Sequence, residues 1–321
     1  MTPPGRVSLL LTIRCLQGLL LSFIFTSTSA PAQKTDDRSD LAREIECYYG
    51  ARTVVDLTIP QLQQEYPELE GLQPAKSQDE LGRILDKVGG NVSAFFHNLS
   101  NTCSVEEVWH QRLNSKGRVA ASIKQKFQYL VLTDPEKNLT MPEEYRTDNK
   151  GKPIQPHVLV GRLSLITQGF TASPVYFDPA YRSEADFRYL GTEDSEGRPA
   201  YIVAFAQRPQ TARILAKLEV QRGLIRSAVI LVQGVAWIDQ QSFQILELMT
   251  DLLKPRDDFG LTRDSTQIQF APVRFTQDTA ELWLPKEVVV SIEWRGKTYR
   301  NDHRYSDYRL FTVQTEQHPS R

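Results

Sequence analysis

SQDELGRILDKVGGNVSAFFHNL, residues 77–99, and RVAASIKQKFQYLV, residues 118–131, carry opposite periodicities. In the first, Leu81, Ile84, Leu85, Val88, Val92, Phe95, Phe96 and Leu99 recur every three or four residues, one apolar stripe on an amphipathic helix. Ser77 and Glu80 have the spacing of a capping box, in which each side chain satisfies the other's backbone donor. Gly89-Gly90 inside the stripe predicts a kink or a close approach to a sheet, since glycine costs helix stability without a packing reason. In the second stretch, Val119, Ala121, Ile123, Phe127, Tyr129 and Val131 alternate with Arg118, Ser122, Lys124, Lys126 and Gln128. That period of two is a long strand with one wet face. Ser115-Lys116-Gly117 suits a hairpin from a strand at Val108–Leu113.

Strand signals then recur at hairpin spacing: 187–190, 201–206, 213–220, 228–238, 243–252, 266–275, 287–294 and 298–313. Residues 133–156, rich in proline and charge, read as a long surface loop. Asp194-Ser-Glu-Gly197, Asp239-Gln-Gln241 and Arg295-Gly-Lys297 are turn-like, and no helix-length pattern interrupts the run. Successive strands without crossover helices give an antiparallel meander. The expected fold class is α+β, mainly antiparallel β, with roughly eight to eleven strands; a sheet so wide curls. The helix at 81–99 is expected to lie across one face.

Upstream, Arg6 and Arg14 precede an apolar run, Cys15–Phe25, and the small-residue end Ala30-Pro31-Ala32, the three parts of a secretory signal. The run is shorter than the roughly 20 residues a span needs, and Ile13-Arg14 before Cys15 is no lipobox. Residues 1–32 are therefore expected to be removed ahead of Gln33, placing the protein in the periplasm or outside the cell with no remaining transmembrane span. Residues 33–76 form an extension with short helices, and 77–321 the helix-and-sheet domain. The chain has 38 basic and 39 acidic side chains, which excludes a basic footprint for nucleic acid.

Cys47 and Cys103 remain after processing, an even number in an oxidising compartment, so one disulfide is expected; two free buried thiols are the alternative. A redox pair would need closer spacing. Nucleophile, phosphate-loop and dinucleotide motifs are absent, and His97, His110, His157, His303 and His318 lack metal-ligand spacing. His303-Arg-Tyr-Ser306-Asp307 combines the residue types of a hydrolase. On a regular strand, however, His303 and Asp307 would share a face about 13 Å apart with Ser306 opposite, so the group reads as a satisfied polar face. No catalytic residue, metal or cofactor is expected, and the protein is read as a non-enzyme.

A helix leading straight into a long strand, followed by Gly234-Val-Ala-Trp-Ile-Asp239 and Phe243-Gln-Ile-Leu246, resembles the outer-membrane lipoprotein carrier superfamily. Pro67-Glu-Leu, Val88-Gly-Gly-Asn-Val, Trp283-Leu-Pro and His303-Arg-Tyr-Ser-Asp307 are similar to segments of exported acidobacterial proteins that bring no activity with them. The first resemblance implies a curved half-barrel closed by helices, with a concave face that binds acyl chains. It implies a lipid or a lipidated protein as partner. Large strand and helix aromatics are then the ligand-binding candidates: Phe95, Phe96, Phe127, Tyr129, Phe205, Trp237, Phe270 and Trp294. The alternative is an envelope interaction or structural module without a small-molecule ligand.

Overall fold

A computed structural model describes residues 37–133, 141–154, 159–160, 163–164, 169–213, 216–222, 224–275 and 281–311. The expected leader, residues 1–32, lies outside them. Among the described residues no helix is long and apolar enough to cross a membrane.

The helices are α1 (Asp37–Glu46), α2 (Ile59–Glu65) and α3 (Leu81–Asn98). The strands are β1 (Gln73–Pro74), β2 (Thr102–Leu113), β3 (Val119–Leu132), β4 (Glu143–Thr147), β5 (Leu159–Val160), β6 (Leu163–Ser164), β7 (Ala185–Ser195) and β8 (Arg198–Gln207). They continue as β9 (Ala216–Arg222), β10 (Leu224–Ile230), β11 (Val232–Asp239), β12 (Ile245–Leu252), β13 (Leu261–Arg274), β14 (Glu281–Trp294) and β15 (Lys297–Leu310). One 11-stranded sheet has the order β1-β7-β8-β11-β12-β13-β14-β15-β2-β3-β4, every neighbouring pair antiparallel, and is not closed. β9–β10 and β5–β6 are separate hairpins. The expected meander is therefore present, from β7 to β15, and β15 then pairs with β2.

A single apolar cluster shows the curvature. It joins Tyr129 and Val131 on β3, Tyr305 on β15, Val288 and Val290 on β14, Ile268 on β13 and Phe205 on β8 to Ile84, Leu85, Val88 and Val92 of α3. Strands at opposite ends of the order meet one helix only if the sheet wraps round it, so α3 lies in the concave face of a half-barrel. A short 3-10 helix, Ser173–Phe177, fills the same hollow, with Tyr176 and Phe177 against Phe205 at ring distances of 5.4 and 5.5 Å.

The opposite face is also covered. Val54, Leu57, Leu62, Tyr66, Leu69 and Leu72 of the N-terminal extension pack on Leu190, Ile202, Ala204, Val235, Trp237 and Met249. Strands β8 and β11 are thus apolar on both faces, as a sheet covered twice must be. Thr58 and Gln61 tie the start of α2, the Thr58 N–H donating to Gln61 Oε1 at 3.0 Å.

Two local expectations change. Ser77 and Glu80 form no cap: α3 begins at Leu81, Ser77 Oγ donates to Asp79, and Glu80 pairs with Arg83. The 133–156 loop contains β4, whose charged sequence, Glu-Glu-Tyr-Arg-Thr, gives no apolar alternation to read. The two glycines of α3 also separate. A Cβ on Gly89 would sit 2.6 Å from the Arg182 guanidinium and 2.9 Å from the Phe177 carbonyl oxygen, whereas one on Gly90 would meet nothing within 4 Å. Gly89 is thus the close approach, and Gly90 only weakens the helix. Gly90→Ala is expected to raise stability by about 0.5–1 kcal/mol and Gly89→Ala to lower it, read from paired urea unfolding curves. A loss in both variants would contradict the packing.

Candidate functional site

Where α3 runs over β12, β13 and β14, a crevice of about 100 Å³ remains between helix and sheet. Val92 and Phe95 form its roof, and Phe243, Ile245, Phe270 and Trp283 its floor and wall. Phe243 sits at φ 56° after the turn held by Asp239, whose Oδ1 accepts from Ser242 N–H at 2.7 Å. That turn throws the Phe243 ring up to stack on Tyr201 at 5.9 Å, with the Arg83 guanidinium of α3 5.3 Å from its centroid. The helix is held at this end by Asn91 donating to the Ser242 carbonyl (2.7 Å) and Ser93 donating to Asp178 (2.7 Å).

Of the eight aromatic candidates, Phe95 and Phe270 line the crevice. Phe96 is half-buried beside Phe95, the rings edge to face at 5.3 Å. Tyr129 and Phe205 are buried in the concave core away from the crevice. Three are elsewhere. Phe127 belongs to a small cluster with Val108 and Ile154. Trp237 is on the outer face under the extension, its indole N–H donating to Glu193 at 3.1 Å. Trp294 packs at the far end of β14, its N–H donating to the Phe259 carbonyl at 3.1 Å. The sheet register places Trp237 opposite Ile202 and Glu247, away from α3, so Phe95 and Phe96 do not face it.

The β15-β2-β3-β4 end of the concave face is polar. Glu106 on β2 is fully buried and accepts from Arg146 Nε (2.6 Å) and Nη2 (2.8 Å), His303 Nδ1 (2.8 Å) and the Tyr305 hydroxyl (2.7 Å). Burial alone would raise its pKa, but Arg146 and His303 hold the carboxyl down at about 2. Burial lowers the His303 pKa, so the ring is neutral and puts its proton on Nδ1, toward Glu106. The Phe170 ring covers His303 at 5.2 Å. His303, Ser306 and Asp307 form no relay. The expected common face of His303 and Asp307 is lost, because β15 slips register between Ser306 and Arg309 and Asp307 is left-handed at φ 54°.

Glu144 on β4 accepts from the backbone N–H groups of Phe170 (2.9 Å) and Thr171 (3.1 Å), clamping that segment over the polar end. Burial pushes its carboxyl up to about 7 despite those donors and Arg146. Asp264, on the concave side of β13, is pushed to about 6 by burial and then by Asp251. No group of three or more metal-ligating side chains occurs among the described residues.

Cys47 and Cys103, expected to bridge, are both free thiols. Cys47 follows α1, where the Lys254 ammonium donates to its carbonyl at 3.0 Å, while Cys103 is on β2 opposite Leu130. Three strands, β13, β14 and β15, lie between β12, which ends at Leu252 just before Lys254, and β2. Thiol titration of the unfolded, non-reduced protein is expected to find both thiols of this pair. Their absence would show that oxidation has rearranged this chain.

A larger cleft, about 640 Å³, opens at the sheet rim between residues 48–56 and the ends of β7 and β8. Its charged side chains already have partners: Arg208 pairs with Asp186, Arg188 donates to the Val55 and Leu57 carbonyls, and Asp56 accepts from Thr53.

No family model matches the chain, and no curated protein matches it. Among solved structures it is similar to a DUF1329 family protein from Desulfovibrio piger, with 11% identity, a TM-score of 0.40 and coverage of 74% of this chain and 95% of that one. It is also similar to a domain described as outer-membrane lipoprotein-sorting from Vibrio parahaemolyticus, with 11% identity, a TM-score of 0.38 and coverage of 72% and 94%.

Proposed function

We propose that this is an exported, non-enzymatic envelope protein that holds an acyl chain, free or on a lipidated partner, in the crevice beneath the C-terminal half of α3. The observation that carries the reading is the aromatic gap itself, the point where helix and concave sheet fail to interlock. At about 100 Å³ it holds little more than three water volumes, so a chain enters by lifting the end of α3. The two side-chain hydrogen bonds from Asn91 and Ser93 are what that movement breaks, and an inserted chain repays it at about 25 cal/mol per Å² of buried apolar area. No cofactor is required.

The second reading is an interaction module without a small ligand. The filling of the rest of the hollow by Tyr176, Phe177 and α3 favours it, because a dedicated carrier usually encloses 300–1,000 Å³. Native mass spectrometry of protein purified from its own host separates the two. Bound lipid is expected, and Phe95→Asp is expected to stay folded, since a half-buried carboxylate in the crevice lining reaches water, while losing the lipid. A folded Phe95→Asp protein that retains lipid would overturn the site. Protein free of lipid, and unable to take up a fluorescent fatty acid, would leave the module reading.

A further inference from the structure

β4 pairs with β3 only over Gln128–Leu132, so among the described residues no strand is paired with the outer edge of β3 from Val119 to Phe127. An unpaired edge presents backbone donors and acceptors ready for another strand. Two further features coincide with it. Ile123, opposite His110 on the concave side, is 39% exposed. The outer face of the same stretch carries Lys124 and Lys126, with Lys124 5.1 Å over the ring of Trp109, itself 39% exposed; Val119, which pairs with Leu113 beyond a register shift, is on this outer face too. Among the described residues, the only acid paired with these two lysines is Glu107, on Lys126 at 3.2 Å and largely exposed.

We infer that this edge takes an extended segment of a partner protein as a twelfth strand, one that alternates acidic with apolar residues. A strand laid beside β3 places its side chains about 5 Å from those of β3 on each face. Acidic positions then meet Lys124 and Lys126, and the alternate positions meet Ile123 on the concave side. A second copy of this chain is a poor occupant, because two such edges bring like charges together. The pairing is independent of the acyl-chain reading, since the crevice under α3 lies against β12–β14.

The probe is a capped, fluorescent heptapeptide alternating glutamate with valine, titrated into the wild-type protein, with a lysine–valine peptide as control. Binding of the first and not the second is expected, weakened about tenfold or more in Lys124→Glu/Lys126→Glu, both surface changes. Two N-methylated versions of the peptide test the backbone: only one edge of the probe can pair with β3, so methylating one parity should abolish binding and the other leave it unchanged. Absence of binding by the glutamate peptide overturns the inference. So does binding that survives both methylations, which would be charge attraction without strand addition. Tight binding to phosphatidylglycerol vesicles, lost in the double variant while the peptide fails to bind, would also overturn it and assign the patch to a membrane surface.

Discussion

Arg146→Ala is expected to destabilise the protein by about 3–5 kcal/mol, a large share of the stability of an ordinary domain. The guanidinium is 2% and the Glu106 carboxylate 0% exposed, and the pair is bidentate. Such a pair contributes little net stability when intact, because both ions were taken out of water. Removing one partner is different: Glu106 keeps its burial and loses its counter-ion, with only His303 and Tyr305 left to donate. Guanidinium also stacks 5.1 Å from the Tyr129 centroid, so packing is lost with the charge. Arg146→Ala with Glu106→Gln should cost clearly less than the sum of the two single changes. Urea unfolding of the four proteins measures this; a loss below about 1 kcal/mol in Arg146→Ala would mean that the network does not hold the sheet.

Stability is also expected to fall as the pH rises from about 5 to 7.5, contrary to the usual acid-labile pattern. Glu144 has a folded pKa of about 7 against an ordinary 4.5. Below 4.5 the folded and unfolded chains both hold the proton, and the group contributes nothing. Between the two values the folded chain alone holds it, so each step up in pH favours unfolding. Above 7 the full cost is present, at most about 3 kcal/mol at 1.36 kcal/mol per unit. Asp264, at about 6, acts with the same sign. Glu106 acts oppositely, its contribution being present above 4.5 and lost as the pH drops toward 2. His303, its pKa lowered by burial, opposes the fall below about 6.5, so the loss attributed to Glu144 is read as the difference from Glu144→Gln. Glu144→Gln should flatten the neutral limb of a melting-temperature profile and leave the acid limb in place. An unchanged neutral limb would remove Glu144 from the account.

The elements that could be read in the sequence are those whose burial follows one period. The α3 stripe, with Ile84, Leu85, Val88 and Val92 innermost, is the one seen in the residue spacing. The alternation of β3 likewise places Phe127, Tyr129 and Val131 inside. What failed was assignment to a face. Trp237 and Ala236 are neighbours in one strand, and both faces of β11 are apolar, so nothing local says which meets α3. Phe243 and Trp283 stand out in composition as aromatics near strands, but their role at the crevice comes from the left-handed turn after Asp239 and from the register of β14. The polar end was hidden for the converse reason. Glu106, Arg146 and His303 look like solvent-facing residues, and only pairing between strands some 200 positions apart reveals them as mutual partners.

The seam between β15 and β2 sets the order in which this protein can be assembled. His110 on the first long strand meets Asn301 on the last across 191 positions, between the eighth and ninth of the eleven strands. A chain that emerges from its N-terminus therefore holds two incomplete ribbons, β2 to β4 and β7 to β14, with no strand pairing to join them until the final hairpin arrives. Non-local pairing of this kind makes folding slow and leaves open edges exposed meanwhile. A fragment cut at Gly296 keeps β2 and β14 as bare edges, and self-association is the outcome open to it.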